Sequence, residues 1–387
     1  MYDMKISDSV VYIGVDDKDI DLFESQYKVP NGVTYNSYVI LDEKIAVMDT
    51  VDKRRTQQWL DNLEKVLEGR EPDYLVVSHL EPDHASNIQL LAEKYPNMQV
   101  VSNAKVFSML PQFFTLDFAP RSVVVKEGDT LSLGNHTLQF FMAPMVHWPE
   151  VMVEYEQTEK ILFSADGFGK FGASDVEEDW DDEARRYFIN IVGKYGSQVQ
   201  ALLKKAATLD IQTICPLHGP VLKENLGYYI GKYLTWSSYE PEEEGVVVAY
   251  ASIHGNTGKA AARMAEILKE NGAENVKVFD LARDDMAEAI SSAFRYSRLI
   301  VMGVTYDGNL FPCMEDFLYH LKIKTYKKRK VGIVENGSWA PMAGKLMKAY
   351  FEGMKDIEIC EPVVTIKSVM KDADEENMKT LAKAVLA

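Results

Sequence analysis

Tyr74-Leu75-Val76-Val77-Ser78-His79-Leu80-Glu81-Pro82-Asp83-His84 joins a short apolar run to a segment crowded with metal-competent side chains. The run reads as a buried strand and the segment as the loop at its end. Side chains two apart in extended backbone share a face, so His79 and Glu81 point the same way. A turn near Pro82 sends Asp83 and His84 toward a neighbouring ion. A single histidine after a strand commonly makes only local hydrogen bonds, but ligand-type residues this dense favour a metal segment.

Working outward, strands are predicted over residues 34–41 and 45–48 and a helix over 53–67. Beyond the metal segment come helices over 85–94 and 104–110, strands over 100–101, 123–125, 130–133 and 138–142, and a hairpin of 151–155 with 161–164. Many short strands with inserted helices imply stacked sheets flanked by helices, a fold in which distant strand-end loops converge. Three more metal-competent residues stand at such junctions. His147 lies between Ala143-Pro144-Met145-Val146 and Trp148-Pro149, Asp166 follows an apolar run, and His218 sits in Cys215-Pro216-Leu217-His218-Gly219-Pro220. An ordinary turn role is the alternative for each.

A chain of 387 residues exceeds the size at which one core usually stops growing, so two domains are expected. The formal charge of −17 disfavours nucleic acid and anionic membrane, and suits a basic partner or a small diffusing substrate. No apolar run is long enough to cross a bilayer, and Met1-Tyr2-Asp3-Met4-Lys5 does not open a secretory leader; a cytoplasmic protein is expected. Three scattered cysteines, Cys215, Cys313 and Cys360, make neither a disulfide framework nor a four-thiolate iron centre. Imidazole and carboxylate must hold any metal.

An acidic, turn-rich stretch, Ser237-Ser238-Tyr239-Glu240-Pro241-Glu242-Glu243-Glu244-Gly245, marks a domain boundary, giving domains 1–242 and 243–387. Strand and helix then alternate, the pattern of an open parallel sheet with helices on both faces. Its first strand runs into Ala251-Ser252-Ile253-His254-Gly255-Asn256-Thr257-Gly258 and a helix. Backbone N–H groups there suit a terminal phosphate, with Ser252, Asn256 and Thr257 adding polar contacts. The Gly-Lys-Ser/Thr ending of a nucleoside-triphosphate loop is absent. Two later strand-end loops, Thr305-Tyr306-Asp307-Gly308-Asn309-Leu310 and Asn336-Gly337-Ser338-Trp339, can surround the same ligand.

Through His79-Leu80-Glu81-Pro82-Asp83-His84, His147, Ala165-Asp166-Gly167-Phe168-Gly169, His218-Gly219-Pro220 and its second half, the chain resembles the flavodiiron proteins, or A-type flavoproteins. The resemblance spans nearly the whole length. It implies an α/β protein: a metallo-beta-lactamase-like αββα domain holding two non-haem iron ions, then a flavodoxin-like, doubly wound parallel-sheet domain holding FMN. It assigns His79, Glu81, His147 and Asp166 to one metal and Asp83, His84, Asp166 and His218 to the other, with Asp166 as the bridge. Related hydrolases usually have histidine where this chain has Glu81, and carboxylate-rich ligation suits redox-active iron.

For FMN the resemblance implies the loops Ser252 to Thr257, Thr305 to Leu310 and Asn336 to Trp339. Tyr306 or Trp339 would lie near the isoalloxazine, Asn309 at a polar ring edge, and Ile253, His254 and Gly255 in the phosphate loop. His136 and His320 have no converging ligand pattern and read as packing or surface residues. Tyr195 is the implied hydrogen-bond or proton donor, and Phe168 and Phe171 an apolar wall admitting a neutral gas. Electrons would pass from an external donor to FMN, then to diiron, reducing dioxygen to water or nitric oxide to nitrous oxide. The donor would be rubredoxin or another small carrier, since no paired Cys-x-x-Cys elements supply a fused one. A head-to-tail homodimer, or a dimer of dimers, is the implied assembly. Some relatives carry a pocket histidine at the position of Glu24-Ser25-Gln26-Tyr27, which has none here and leaves the choice of gas open. The competing readings are a dinuclear zinc hydrolase with a fused flavodoxin-like domain and a noncatalytic flavin-binding scaffold.

Overall fold

A computed structural model describes residues 5–387; the opening Met1-Tyr2-Asp3-Met4 lies outside the described residues. They divide into two compact units, one running up to Phe188 and taking in Ser197–Leu234, the other Ile189–Gly196 with Thr235–Ala387. Among the described residues no helix is long and apolar enough to cross a membrane.

In the first unit a six-stranded sheet runs in the order Val10–Tyr12, Tyr38–Ile40, Ala46–Met48, Tyr74–Val76, Gln99–Asn103, Ser122–Val125. Its first two pairings are antiparallel and the remainder parallel. A five-stranded sheet follows: Thr130–Ser132, Thr137–Met142, Met152–Glu156, Ile161–Phe163, Thr213–Cys215. One buried cluster draws alternate residues from both, joining Tyr38, Ile40, Ala46, Met48, Tyr74 and Val76 to Leu138, Phe140, Met152, Ile161 and Phe163. That i, i+2 pattern places the two sheets face to face. Helix Thr56–Leu67 buries Trp59, Leu63 and Leu67, a stripe at helical spacing.

The strand predicted over 34–41 is two strands. Val33–Tyr35 pairs with Val15–Asp17, whereas Tyr38–Ile40 enters the large sheet. Between them Asn36 is drawn off to other work: its amide donates to the carbonyls of Pro216 and Gly219, both at 2.8 Å. Likewise the helix predicted over 85–94 is a single turn, Pro82–Ala85, followed by Ile88–Lys94. Helices Trp180–Tyr187, Gly196–Ala206 and Leu226–Ser238 have no counterpart in the sequence reading, because their charged or mixed faces blur the apolar period.

In the second unit the main sheet runs Val276–Asp280, Glu243–Tyr250, Tyr296–Tyr306, Arg329–Asn336, Ile357–Ile359, all parallel. From Glu243–Tyr250 the chain moves to one side for Val276–Asp280 and then to the other for Tyr296–Tyr306, so the order reverses between Glu243–Tyr250 and Tyr296–Tyr306. Ligand crevices open at that point, outside the carboxyl ends of the strands. On one face Val246, Val248, Ile300, Met302 and Val334 pack against Ala260, Met264 and Ile267 and against the last helix through Met378, Leu381 and Val385.

Candidate functional site

After strand Tyr74–Val76 the chain bends at Ser78 and again at Glu81, with His79 between them. Pro82 then opens the one-turn helix Pro82–Ala85, whose first position it suits because its missing N–H is not needed there. The N–H groups of His84 and Ala85 both reach the Glu81 carbonyl at 2.9 Å, which turns Asp83 and His84 away from the strand line. His147 follows strand Thr137–Met142, Asp166 follows Ile161–Phe163, and His218 follows Thr213–Cys215. All seven predicted ligands are buried. They form two groups, His79 with Glu81, His147 and Asp166, and Asp83 with His84 and His218. Ligand atoms in each group lie within 4.8 Å of one another.

Asp166 faces both groups. Its Oδ2 is 3.3 Å from Nε2 of His79 and of His147, and its Oδ1 is 3.4 Å and 3.8 Å from Nε2 of His84 and His218. Left-handed backbone at Ala165 (φ 48°) and Phe168 (φ 67°) brackets it, a strain that only the surrounding packing maintains. Both carboxylate oxygens of Asp83 and of Asp166 are buried without a hydrogen bond. Buried carboxylates without a hydrogen bond are costly even beside imidazoles, and a pair of divalent cations removes that cost. Burial opposes charge on the imidazoles, yet Asp166 and Glu81 outweigh it, drawing His147 up to about 9 and His79 well above its ordinary value. The pocket therefore attracts positive charge, and metal uptake must expel protons.

The other nitrogen of two ligands is fixed from outside. His79 Nδ1 donates to Glu150 Oε1 at 2.8 Å, and His218 Nδ1 to the Thr34 carbonyl at 2.6 Å. Both therefore present Nε2 inward. Glu150 is itself held, since Asn103 donates to its carbonyl at 2.7 Å.

The second unit has a cleft of about 590 Å³ at the carboxyl ends of strands Glu243–Tyr250, Tyr296–Tyr306 and Arg329–Asn336. Ser252, Ile253, His254, Asn256 and Thr257 line it, with Thr305 to Gly308 and Asn336 to Trp339. Gly255 shapes the loop with φ 87°, and its N–H donates to Ser252 Oγ at 3.1 Å just before helix Asn256–Glu270. No Lys or Arg is among the described lining residues, so an anion there would rest on hydroxyls and helix-start N–H groups. Trp339 is 84% exposed, an indole that an aromatic ring in the cleft could cover. Asn309 and Leu310 do not line the cleft; they form the strand that folds back on Thr305 and Tyr306, with Leu310 buried. Asn336 braces the wall, donating to the Ser368 carbonyl at 2.9 Å.

Residues 33–219 match the family described as ODP family beta lactamase. An uncharacterised protein of Methanocaldococcus jannaschii is 30% identical over 386 residues, covering 97% of this chain and 95% of its own. A nitric oxide reductase of Moorella thermoacetica is 29% identical, covering 99% and 98%. The solved rubredoxin oxygen:oxidoreductase from Desulfovibrio gigas superposes with a TM-score of 0.92 at 27% identity, covering 99% of this chain and 97% of that one. The chain belongs to the flavodiiron protein family. It is an oxidoreductase with the metallo-beta-lactamase-like and flavodoxin-like architecture expected for one.

Within this flavodiiron protein some expected site residues lie elsewhere. Tyr195 is half-buried in the one-turn helix Gly193–Tyr195 of the second unit, with the Lys194 ammonium 5.7 Å from its ring. The hydroxyl among the ligands belongs to Tyr187, fully buried and without a hydrogen bond of ordinary geometry. Burial and the charges of Asp166, Glu81 and Asp83 hold its phenol well above the usual range. Phe171 packs one layer back, 5.2 Å from the Tyr187 ring and 5.4 Å from Phe23, and the Phe23 ring lies 5.4 Å from His218. Phe168 stacks on Tyr233 at 4.3 Å. His136 lies outside both sites in a contact with Asp42, and His320 beside Asp316.

Three residues escaped the sequence reading. Glu150, three positions after His147, is one, and its nearness to a candidate ligand was the available signal. Tyr187 is the second. Glu24 is the third: its loop matches the pocket histidine of some relatives, but its own carboxyl went unweighed. Although the residue is open to solvent, that carboxyl turns in, where burial and the Glu81 charge push it up to about 8. Glu150→Gln keeps the shape and loses the charge that fixes His79. Metal affinity should fall roughly 10- to 100-fold by chelator competition, and unchanged affinity would remove Glu150 from the ligand support.

Beneath His79, Ser78 Oγ lies 2.6 Å from Asp49 Oδ2 and 2.9 Å from Glu154 Oε2. A hydroxyl has one proton to give, so one carboxyl must carry its own. Burial raises both, Asp49 to about 6 and Glu154 well beyond its ordinary value. Between about pH 4, where an unfolded Asp titrates, and the raised Asp49 value, the unfolded chain loses a proton that the fold retains. Stability contributed by Asp49 therefore declines as pH rises through that window. Asp49→Asn should flatten the slope in urea titrations, and an unaltered slope would refute the assignment.

Proposed function

We propose that this flavodiiron protein reduces dioxygen to water, nitric oxide to nitrous oxide, or both, using FMN in domain 243–387 and two iron ions in domain 1–242. The observation that carries the reading is the two-faced Asp166, with one oxygen toward each ligand group. Support also comes from Glu81 in place of a hydrolase histidine and from relatives named nitric oxide reductase and rubredoxin oxygen:oxidoreductase. When bound, the flavin would supply one- or two-electron exchange with an external carrier, and the iron pair a store of two electrons and Lewis acidity for a small oxidant.

The chain's own groups then have separable tasks. His79, Glu81 and His147 would hold one ion with Asp166 Oδ2, and Asp83, His84 and His218 the other with Asp166 Oδ1. Glu150 and the Thr34 carbonyl orient the imidazoles. The unengaged Tyr187 O–H is a hydrogen-bond donor at the site. Phe23 and Phe171 keep the His218 side apolar. In the cleft, the Ser252 to Thr257 loop would take the FMN phosphate and Trp339 or Tyr306 the ring. The external donor is a rubredoxin or another small electron carrier in the cytoplasm, and the assembly a head-to-tail homodimer or a dimer of such dimers.

Complete reduction of dioxygen to two waters consumes four electrons and four protons; two nitric oxide molecules take two of each to give nitrous oxide and water. The deciding experiment reduces the FMN- and iron-loaded protein without air and mixes it rapidly with each gas. Flavin and iron oxidation should accompany nitrous oxide formation or dioxygen loss in those ratios. Failure with both gases would sink the reading, and flavin-independent ester hydrolysis by a zinc-loaded form would replace it with a hydrolase.

A further inference from the structure

Behind the metal ligands lies a second, smaller space that their coordination does not use. It is a cavity of about 30 Å³ between the five-stranded sheet and helix Gly196–Ala206. Val153 and Leu162 come from the sheet, Val199 and Leu203 from the helix, and Val146 and Phe168 from the loops that carry His147 and Asp166. The cavity thus touches the backbone next to ligands of both strand-end loops. At its outer end stand Ala206 and Lys205. The Lys205 ammonium is tied aside, 2.9 Å from Glu127 and from the Met142 carbonyl, so its aliphatic stem faces the opening.

Two hydroxyls border this space and both are engaged. Ser164 Oγ donates to the Gly167 carbonyl at 2.6 Å, and the Tyr233 phenol oxygen accepts the Phe168 N–H at 2.6 Å. A buried water needs two to four polar partners, and here the volume for one exists without them. Dry apolar cavities of this kind take up small neutral molecules such as xenon. A space of this size suits a molecule as small as a diatomic.

We propose that this cavity binds a neutral diatomic gas and passes it toward the metal ligands past Phe168. The proposal rests on the gas-reductase reading and adds where the substrate is held. Phe168 fits the role of the separating side chain: it lines the cavity, follows Asp166 by two residues and occupies a left-handed conformation.

Xenon tests the site without any turnover. Crystals of the full chain pressurised with xenon should show one atom in this cavity, and Ala206→Phe, which fills the outer end, should abolish it. In the FMN- and iron-loaded enzyme Ala206→Phe should raise KM for the reduced gas about 3- to 10-fold while kcat at saturating gas and metal content stay constant. Leu203→Ala, which enlarges the space, should keep xenon and not raise KM. Absence of xenon from the wild-type cavity overturns the proposal, and so does an unchanged KM in an Ala206→Phe protein that has lost xenon. A protein that binds xenon but reduces neither gas overturns the reductase reading instead.

Discussion

Asp166→Asn is expected to leave a folded, FMN-binding chain that no longer holds a coupled pair of ions. Asparagine keeps the shape but replaces one anionic oxygen with an amide nitrogen that cannot ligate, so only one ligand group retains its oxygen. Metal content should drop from two ions per chain to one or fewer, and magnetic coupling should vanish. Gas reduction should fall by more than the roughly 100-fold that loss of an outer-shell partner costs. The metal-free variant should melt below the metal-free parent, because the Asp166 carboxylate, held ionised by the imidazoles 3.3 to 3.8 Å away, is the partner of their buried charge. Two coupled ions and parental turnover in the variant would refute the bridge.

Ser252→Asp should separate phosphate recognition from ring recognition. An aspartate oxygen can accept the Gly255 N–H as the serine does, so the loop keeps its turn. It also sets a negative charge against the phosphate. Two unit charges about 4 Å apart at an effective dielectric near 20 repel by about 4 kcal/mol, on the order of a thousandfold in affinity. FMN affinity should fall by about that factor, while riboflavin, which lacks the phosphate, should lose much less. Equal losses for the two would place the phosphate elsewhere, and no loss for FMN would remove this loop from the site.

The metal half of the site was legible because its ligands announce themselves chemically. His79 through His84 crowd together, and His147, Asp166 and His218 each end an apolar strand, where the fold exposes them inward. The parallel sheet of the second unit was equally plain from its alternating periods. What escaped depended on register. Tyr187 closes the helix Trp180–Tyr187, whose Asp181, Asp182, Glu183, Arg185 and Arg186 read as a solvated face. Yet both arginines are buried, and the ring turns toward His218. Leu310 was read as part of a flavin loop for its position in sequence; a two-residue antiparallel pairing turns it into core instead. Asn36 broke a predicted strand because its amide is worth more as a brace for the His218 turn than as a continuation of the ladder.

The scatter of the ligands along the chain also governs when iron can enter. Residues 79–84 emerge from synthesis early, but His147 and Asp166 follow many residues later and His218 later still. The first group waits for Asp166 and the second for His218, so the pair is incomplete until the last strand has joined the second sheet, and the early segment alone is only a weak, partial chelator. Loading therefore comes after folding of the first unit, and a newly made chain is shielded from capturing an unsuitable ion while it is still growing.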